Sequence, residues 1–80
     1  MRKSRSRFKE MEKFFKVVGA RLKKLRLKKE LSIARVAREA KISPKTIKFM
    51  EEGTKDYRIV TLDRLCKYYE VTVYSILEGF

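Results

Sequence analysis

The chain has 80 residues, which is enough for one compact domain and too few for a second hydrophobic core. Twenty-two Lys and Arg against ten Asp and Glu give a formal charge of +12, which points to a polyanionic partner and above all to nucleic acid. The chain has no His and a single Cys, Cys66, so it cannot form an intramolecular disulfide and has no set of zinc ligands. We therefore expect no metal and no cofactor.

The positive charge is concentrated in the first part of the chain. Residues 1–48 carry eighteen basic and four acidic side chains, whereas residues 49–80 carry four and six. Segregated charge creates a directional field that orients a charged ligand. No apolar run reaches the roughly 18 residues of a membrane-spanning helix, and residues 1–7 are not followed by the apolar segment of a secretory signal. The sequence therefore predicts a protein of the cytoplasm or nucleoid with no membrane partner.

The first helix is predicted from a stripe of apolar residues. Residues 1–7 are basic and lack apolar periodicity, so they are expected to form a mobile arm. Behind them, apolar residues recur at alternating spacings of three and four, which is typical of a helix. They are Phe8, Met11, Phe15, Val18, Leu22 and Leu25. Gly19 costs about 1 kcal/mol relative to Ala inside a helix, so the stretch is either one long helix or a short helix followed by another.

The role of residues 8–16 is open between packing on the domain, a contact between two copies and a contact with DNA. Residues 1–16 are predicted to form the arm and leading helix, and residues 17–80 the main domain. The first helix is expected to end near Lys29, where cations suit the negative end of the helix dipole.

Two short helices follow, each with a clear start signal. Ser32 can cap a helix over residues 33–40 by accepting a hydrogen bond from a free backbone amide. Ser43 can cap another over residues 44–52. Pro44 fits the first turn of that helix, because the amide proton that it lacks has no partner there.

The rest of the chain is expected to form a loop and two more helices. Gly53 ends the preceding helix, because Gly adopts a positive φ without a clash. Residues 54–60 form a loop, residues 61–69 a fourth helix, and Thr72 caps a fifth. The inward positions are Leu62, Leu65, Cys66, Tyr69, Val73, Ile76 and Leu77. No segment alternates as a strand, so the predicted fold is all-α.

Two short helices joined by a tight turn are the outline of a helix-turn-helix. Residues 18–77 also resemble the lambda-repressor-like (Cro and XRE) helix-turn-helix domains. The residues that carry the resemblance are Val18, Gly19, Leu22, Leu25, Arg26, Val36, Ala37, Ile42, Ser43, Ile47, Glu51, Gly53, Leu62, Leu65, Val71 and Leu77. The resemblance implies a compact five-helix bundle that binds double-stranded DNA as a homodimer and acts as a repressor-like regulator of transcription.

The resemblance also implies a salt bridge between Arg26 and Glu51, and a recognition helix over about residues 44–52. Three positions depart from the family pattern. Ile33 replaces a phosphate-binding Gln, so only its backbone amide can serve. Lys41 stands where the turn commonly has Gly, which costs roughly 1 kcal/mol if the residue is left-handed. The third departure is Pro44, which replaces a Gln that often contacts a base.

Base contacts are expected from the exposed part of the recognition helix. Lys45 and Lys48 can donate to O6 and N7 of guanine, while Thr46 or Phe49 can touch a thymine methyl group. The alternatives are phosphate contacts alone for the two lysines and internal packing for Phe49. Contacts to the DNA backbone are expected from Ile33, Arg35, Lys41, Ser43, Thr54, Lys55 and Arg58.

Two other functions remain open from the sequence. The chain could be an adaptor that binds nucleic acid or protein without strong sequence specificity. Residues 8–29 could also lie on an anionic membrane as a basic amphipathic helix. Enzymatic activity and a small-molecule ligand are not expected, because no spacing of Asp, Glu or Ser assigns catalytic roles.

Overall fold

The computed structural model describes residues 2–53 and 58–79, with side chains from Glu12 onward. This part of the chain folds into five α-helices without a β-strand, which confirms the predicted all-α fold. The helices are α1 (Arg2–Lys28), α2 (Ile33–Ala40), α3 (Pro44–Glu52), α4 (Ile59–Tyr68) and α5 (Val73–Leu77). None of these helices, over the described residues, is both long enough and apolar enough to cross a membrane.

α1 is one continuous helix of 27 residues, so Gly19 does not divide it. Residues 2–7, for which the sequence predicts a mobile arm, are helical and form the first turns of α1. The sequence has no Pro or Gly before Gly19, and Arg and Lys are good helix formers, so nothing stops the helix there. α1 also runs without a break across residue 16, and the predicted division of the chain at that point remains a prediction.

Gly19 lies where α1 crosses the end of α3. A Cβ atom at this position would overlap the carbonyl oxygen of Met50 and lie 2.6 Å from that of Glu51. Gly53 makes a second close approach, since a Cβ there would lie 2.7 Å from the Cα of Lys16. The two glycines therefore let the backbones of α1 and α3 pack in direct contact.

The leading part of α1 packs on the domain as far as its side chains are described. Phe15 is buried, and Phe14 is half-buried against the core. Their rings meet edge to face with centroids 5.6 Å apart. Packing on the domain is thus the observed role at Phe15, while the side chains of Phe8 and Met11 lie outside the described part.

The three predicted helix caps are confirmed. The side-chain oxygens of Ser32, Ser43 and Thr72 each accept a hydrogen bond from a backbone amide three residues later. The donors are the amides of Arg35, Thr46 and Ser75, at 3.0–3.1 Å. These bonds satisfy amides that have no partner within the helix, which is why the starts of α2, α3 and α5 could be placed from sequence.

Three helices are followed by a left-handed residue that carries a side chain. Glu30 after α1, Lys41 after α2 and Glu70 after α4 have φ values of 57°, 59° and 63°. Lys41 thus takes the left-handed conformation that the family resemblance implies for this position of the turn. Such a residue is strained by roughly 1 kcal/mol or more relative to Gly.

α4 begins at Ile59, two residues before the predicted start, so the expected loop is wrong for Ile59 and Val60. Arg58 is the N-cap residue and makes no side-chain capping bond. Its carbonyl accepts hydrogen bonds from the amides of Thr61 and Leu62 at 3.0 and 3.2 Å. A helix that starts through its backbone alone leaves no capping signal in the sequence, which explains the error.

One core joins all five helices. Its fully buried side chains include Val18, Leu22, Val36, Ile47, Met50, Leu65 and Cys66. Cys66 is therefore the buried core residue that its apolar surroundings predicted. Burial raises the pKa of its thiol to about 11, so the thiol stays protonated near neutral pH.

Replacing Gly19 by Ala is expected to lower the free energy of unfolding by about 1–3 kcal/mol, because the added methyl group meets backbone carbonyls that cannot move away easily. Ala20 is exposed on the same helix and provides the control. There, the reverse change Ala20→Gly should cost about 1 kcal/mol through helix propensity alone. Urea denaturation measures both variants. A Gly19→Ala protein as stable as the parent would contradict the close crossing.

Candidate nucleic-acid interface

α3 has a buried side and an exposed side. Ile47 and Met50 are fully buried, and Glu51 is 8% exposed. Lys45 and Lys48 are exposed, and the helical period of 3.6 residues turns them away from the buried positions. The lysine side of α3 is therefore accessible to a large partner.

A buried ion pair holds α3 against α1. Arg26 donates from Nε to Oε2 of Glu51 at 2.7 Å and from Nη2 to Oε1 at 3.0 Å. Only 10% and 4% of the two side chains are exposed. Nη1 of Arg26 donates to the carbonyl of Leu31 at 2.9 Å, which fixes the connection after α1. The pairing that the resemblance implies is thus present, and the hydrogen bond with Glu51 raises the pKa of Arg26.

The Tyr69 hydroxyl is buried close enough to this pair to interact with its charges. It has no hydrogen-bond partner among the residues that the structure describes. Burial raises the pKa of Tyr69 to about 12, and the negative charge of Glu51 adds to the rise. The phenol stays neutral at physiological pH and leaves both carboxylate oxygens of Glu51 to Arg26.

The turn between α2 and α3 consists of residues 41–43, a length typical of a helix-turn-helix. The left-handed Lys41 reverses the chain, and its amide bonds to the carbonyl of Ala37. The amide of Ile42 reaches the same carbonyl at 3.1 Å, and its side chain is buried in the core. The turn is thereby anchored, which fixes the direction in which α3 leaves it.

A polar groove lies between this turn, the first turn of α3 and the start of α4. Its lining consists of Lys41, Ile42, Ser43, Thr46, Arg58, Val60, Thr61 and Arg64. Arg64 donates from Nη1 to the carbonyl of Lys41 at 3.3 Å and so holds α4 beside the turn. Three cations and three hydroxyl groups in one groove are the donors that contact DNA phosphates in complexes.

Thr46 lines the groove, whereas Lys45 and Lys48 do not. The Ser43 hydroxyl donates to Oγ1 of Thr46 at 2.9 Å while it accepts the amide of Thr46 at 3.1 Å. The structure thus groups Thr46 with the residues expected to contact phosphates. Phe49 is half-buried on α3, and its expected contact with a base stays a prediction.

The start of α2 carries two of the expected phosphate contacts. Ile33 is the first residue of α2, where backbone amides have no partner inside the helix, and its side chain packs on the core. Arg35 is exposed, and its Nε pairs with Oε2 of Glu39 at 3.1 Å. The Tyr68 hydroxyl donates to the other carboxylate oxygen of Glu39. The bond from Tyr68, followed in size of effect by the bond from Arg35, lowers the pKa of Glu39. Arg35 must therefore share its charge between Glu39 and any phosphate.

The remaining expected contacts divide into two groups. Thr54 and Lys55 lie outside the described residues, while Arg58 is exposed in the groove. Sequence reasoning missed Thr61 in the first turn of α4 and Arg64 in its second turn. No local pattern marks them, because only the packing of α4 against the turn brings them to Lys41 and Ser43.

A helix-turn-helix with an exposed second helix and a cationic groove beside it defines a protein of the DNA-binding class. Residues 17–73 match the family model described as helix-turn-helix domain, and the chain belongs to that family. The match is consistent with the resemblance to Cro and XRE domains. No curated protein and no solved structure matches the chain.

Changing Glu51 to Ala is expected to cost about 3 kcal/mol of stability, because it leaves the Arg26 guanidinium buried without its counter-charge. The double variant Arg26→Met/Glu51→Leu should recover most of that loss, since apolar residues of similar size can replace a buried pair. Thermal unfolding measures both.

Glu39→Ala is the matched control, because Glu39 also pairs with an arginine but at the exposed surface. Its melting temperature should change little, since exposed ion pairs contribute little. If Glu51→Ala melts as Glu39→Ala does, the Arg26–Glu51 pair does not hold α3.

Proposed function

We propose that this protein is a sequence-specific, double-stranded DNA-binding regulator of transcription of the short repressor kind, working on the nucleoid. α3 is the recognition helix and enters the major groove. The observation that supports this best is the exposed lysine side of α3 on a helix whose other side is fixed by Arg26 and Glu51. Reading of base edges requires donors that are both accessible and held in one orientation.

Lys45 and Lys48 are the proposed base readers. Both are exposed and lie three residues apart on α3, so they can reach successive base pairs. A lysine ammonium donates to O6 and N7 of guanine, and such a contact discriminates by about 1–3 kcal/mol when its geometry is good. Phe49 lies next to Lys48 and can contact a thymine methyl group.

The polar groove and the start of α2 bind the DNA backbone. Lys41, Arg58 and Arg64 supply positive charge, and the amide of Ile33 lies at a helix start that attracts phosphate. Ser43 and Thr46 add hydroxyl groups to the groove, and Arg35 lies beside Ile33. Thr54 and Lys55 remain expected contacts from their place in the sequence. Such contacts fix the register of the protein on DNA and leave sequence choice to α3.

Binding selection on random duplexes, followed by titration against salt, tests this division of roles. Lys45→Gln should relax the preference at one base pair, with a loss of about 1–3 kcal/mol for the preferred base. Arg64→Gln should weaken all duplexes alike and lower the slope of log affinity against log salt by about one unit.

Lys67→Gln is the control for Arg64→Gln, because Lys67 is an exposed cation of α4 that lies outside the groove. It should change neither quantity by a comparable amount. If the selection enriches no sequence, and single strands bind as tightly as duplexes, the protein is a nonspecific adaptor and not a regulator of this kind.

The proposed active form on DNA is a homodimer that binds two half-sites about 34 Å apart, one helical turn of DNA. Tyr74 on α5 supports this, because it is 82% exposed and lies next to the half-buried Val73. Tyrosine is enriched among the residues that dominate the energy of protein interfaces. α5 is therefore the proposed dimer surface.

Replacing Tyr74 by Ser should weaken the dimer by about tenfold or more, as expected for an aromatic residue at the centre of an interface. Analytical ultracentrifugation with a duplex of two half-sites gives the measurement. Ile59→Ser is the control, because Ile59 is 61% exposed at the start of α4 and does not line the polar groove. Equal dimerisation of the Tyr74 variant and the parent would exclude α5 as the interface.

A further inference from the structure

The outward face of α1 is an exposed basic surface that the proposed contact with DNA does not use. Residues 13–28 contain seven cations and neither Asp nor Glu. Two of the cations have structural roles, because Arg26 pairs with Glu51 and Arg21 donates to the carbonyls of Ile76 and Glu78 at 2.7 Å. The other five are exposed, namely Lys13, Lys16, Lys23, Lys24 and Lys28. We call these five lysines the α1 lysine face.

The α1 lysine face carries positive charge that the protein does not neutralise in the described part of the chain. None of its five lysines lies within ion-pair distance of a carboxylate whose position the structure describes. Glu12 precedes the face on α1 and is half-buried. The five ammonium groups follow about 22 Å of helix at a rise of 1.5 Å per residue.

Three members of the α1 lysine face, Lys13, Lys24 and Lys28, point away from α3. α1 and α3 are packed with their backbones in contact at Gly19, and the Arg26–Glu51 pair lies between them. At about 100° per residue, Lys13, Lys24 and Lys28 lie on the side of α1 away from Gly19, whereas Lys16 and Lys23 flank the crossing. Two helices packed in this way hold their outer surfaces on opposite sides of the pair.

We propose that the α1 lysine face binds the phosphate backbone of a second segment of duplex DNA while α3 binds the first. This inference rests on the proposed function, since it assigns α3 to the first duplex. One protein molecule then joins two DNA segments. The second contact is independent of sequence, because phosphates carry no base information.

The composition of the face favours phosphates over other partners. Between the lysines lie Val17, Ala20 and Leu27, which form a shallow apolar floor, and Arg21, whose guanidinium is engaged with carbonyls of the protein itself. Protein interfaces are enriched in aromatic residues and Arg and depleted in Lys, so this face lacks the residues that bind a protein strongly.

An anionic membrane would need a wider apolar surface than this face offers. Helices that lie in a bilayer surface insert an apolar face of large residues such as Trp, Phe and Leu. In the described part of this face, Leu27 is the one large apolar side chain that is mostly exposed, at 55%. A row of point charges that follows a helix is better matched to the regular charge of a DNA strand, where each contact releases counterions.

The test immobilises a 30-base-pair duplex on beads, loads the protein, washes, and then adds a second, fluorescent duplex of the same length. Two quantities are measured, the protein retained on the first duplex and the second duplex captured per retained protein. Three variants each remove two positive charges from exposed lysines. They are Lys13→Gln/Lys24→Gln on the α1 lysine face, Lys45→Gln/Lys48→Gln on α3, and Lys29→Gln/Lys67→Gln as the control.

The α1 variant is expected to be retained like the parent and to capture about tenfold less of the second duplex at 0.15 M salt, with a salt slope lower by about two units. The control should behave as the parent, and the α3 variant should lose retention on the first duplex. Gln keeps the side-chain stem and favours helix, so melting curves should agree among the variants.

Two results would overturn the proposal. In the first, the parent is retained on the beads but captures no second duplex. In the second, the α1 variant captures as much second duplex as the parent, which is the result expected if a dimer binds both duplexes through its two α3 helices. If this variant also no longer sediments with vesicles of phosphatidylserine and phosphatidylcholine, the face is a lipid surface.

Failure of the proposed function gives a different pattern. In that case the α3 variant is retained as well as the parent, while the α1 variant loses retention on the first duplex. Such a result removes the role of α3 and leaves DNA binding by the α1 lysine face in place.

Discussion

The buried pair of Arg26 and Glu51 is the interaction on which the arrangement of this domain depends. It joins the end of α1 to the end of α3 through two hydrogen bonds, and a third bond from Arg26 reaches Leu31. A charged pair in a core contributes little net stability. Removing either partner is nevertheless strongly destabilising, because it leaves the other charge buried without a counter-charge. The requirement to satisfy both charges therefore fixes where α3 lies, and with it the direction of its lysines.

Close backbone packing makes this pair possible. Because Gly19 has no side chain, the carbonyls of Met50 and Glu51 reach the surface of α1. Arg26 lies two helical turns further along α1 and meets the Glu51 carboxylate directly. The turn of residues 41–43 then connects α2 to a helix whose place is already set. The polar groove follows from the same arrangement, since α4 packs beside the turn and Arg64 bonds to it.

Much of the fold could be read from the sequence, because helix starts and ends have local causes. Ser32, Ser43 and Thr72 cap their helices through bonds within three residues, and Pro44 and Gly53 mark the two ends of α3. The features that were missed depend on distant parts of the chain. Arg64 joins the groove only through packing, α4 starts without a side-chain cap, and propensity alone could not decide whether α1 was continuous. The Arg26–Glu51 pair was anticipated from the family resemblance, and spacing alone would not have suggested it.

The left-handed residues at the ends of α1, α2 and α4 have a consequence for how this domain can adapt. Glu30, Lys41 and Glu70 each keep a side chain where Gly would remove roughly 1 kcal/mol of strain. Substitution by Gly at any of these three exposed positions should therefore raise the melting temperature without repacking the interior, whether the change arises in evolution or by engineering. At Glu30 and Glu70 the substitution leaves the polar groove unchanged. At Lys41 the same gain in heat resistance would come with the loss of a cation from the groove.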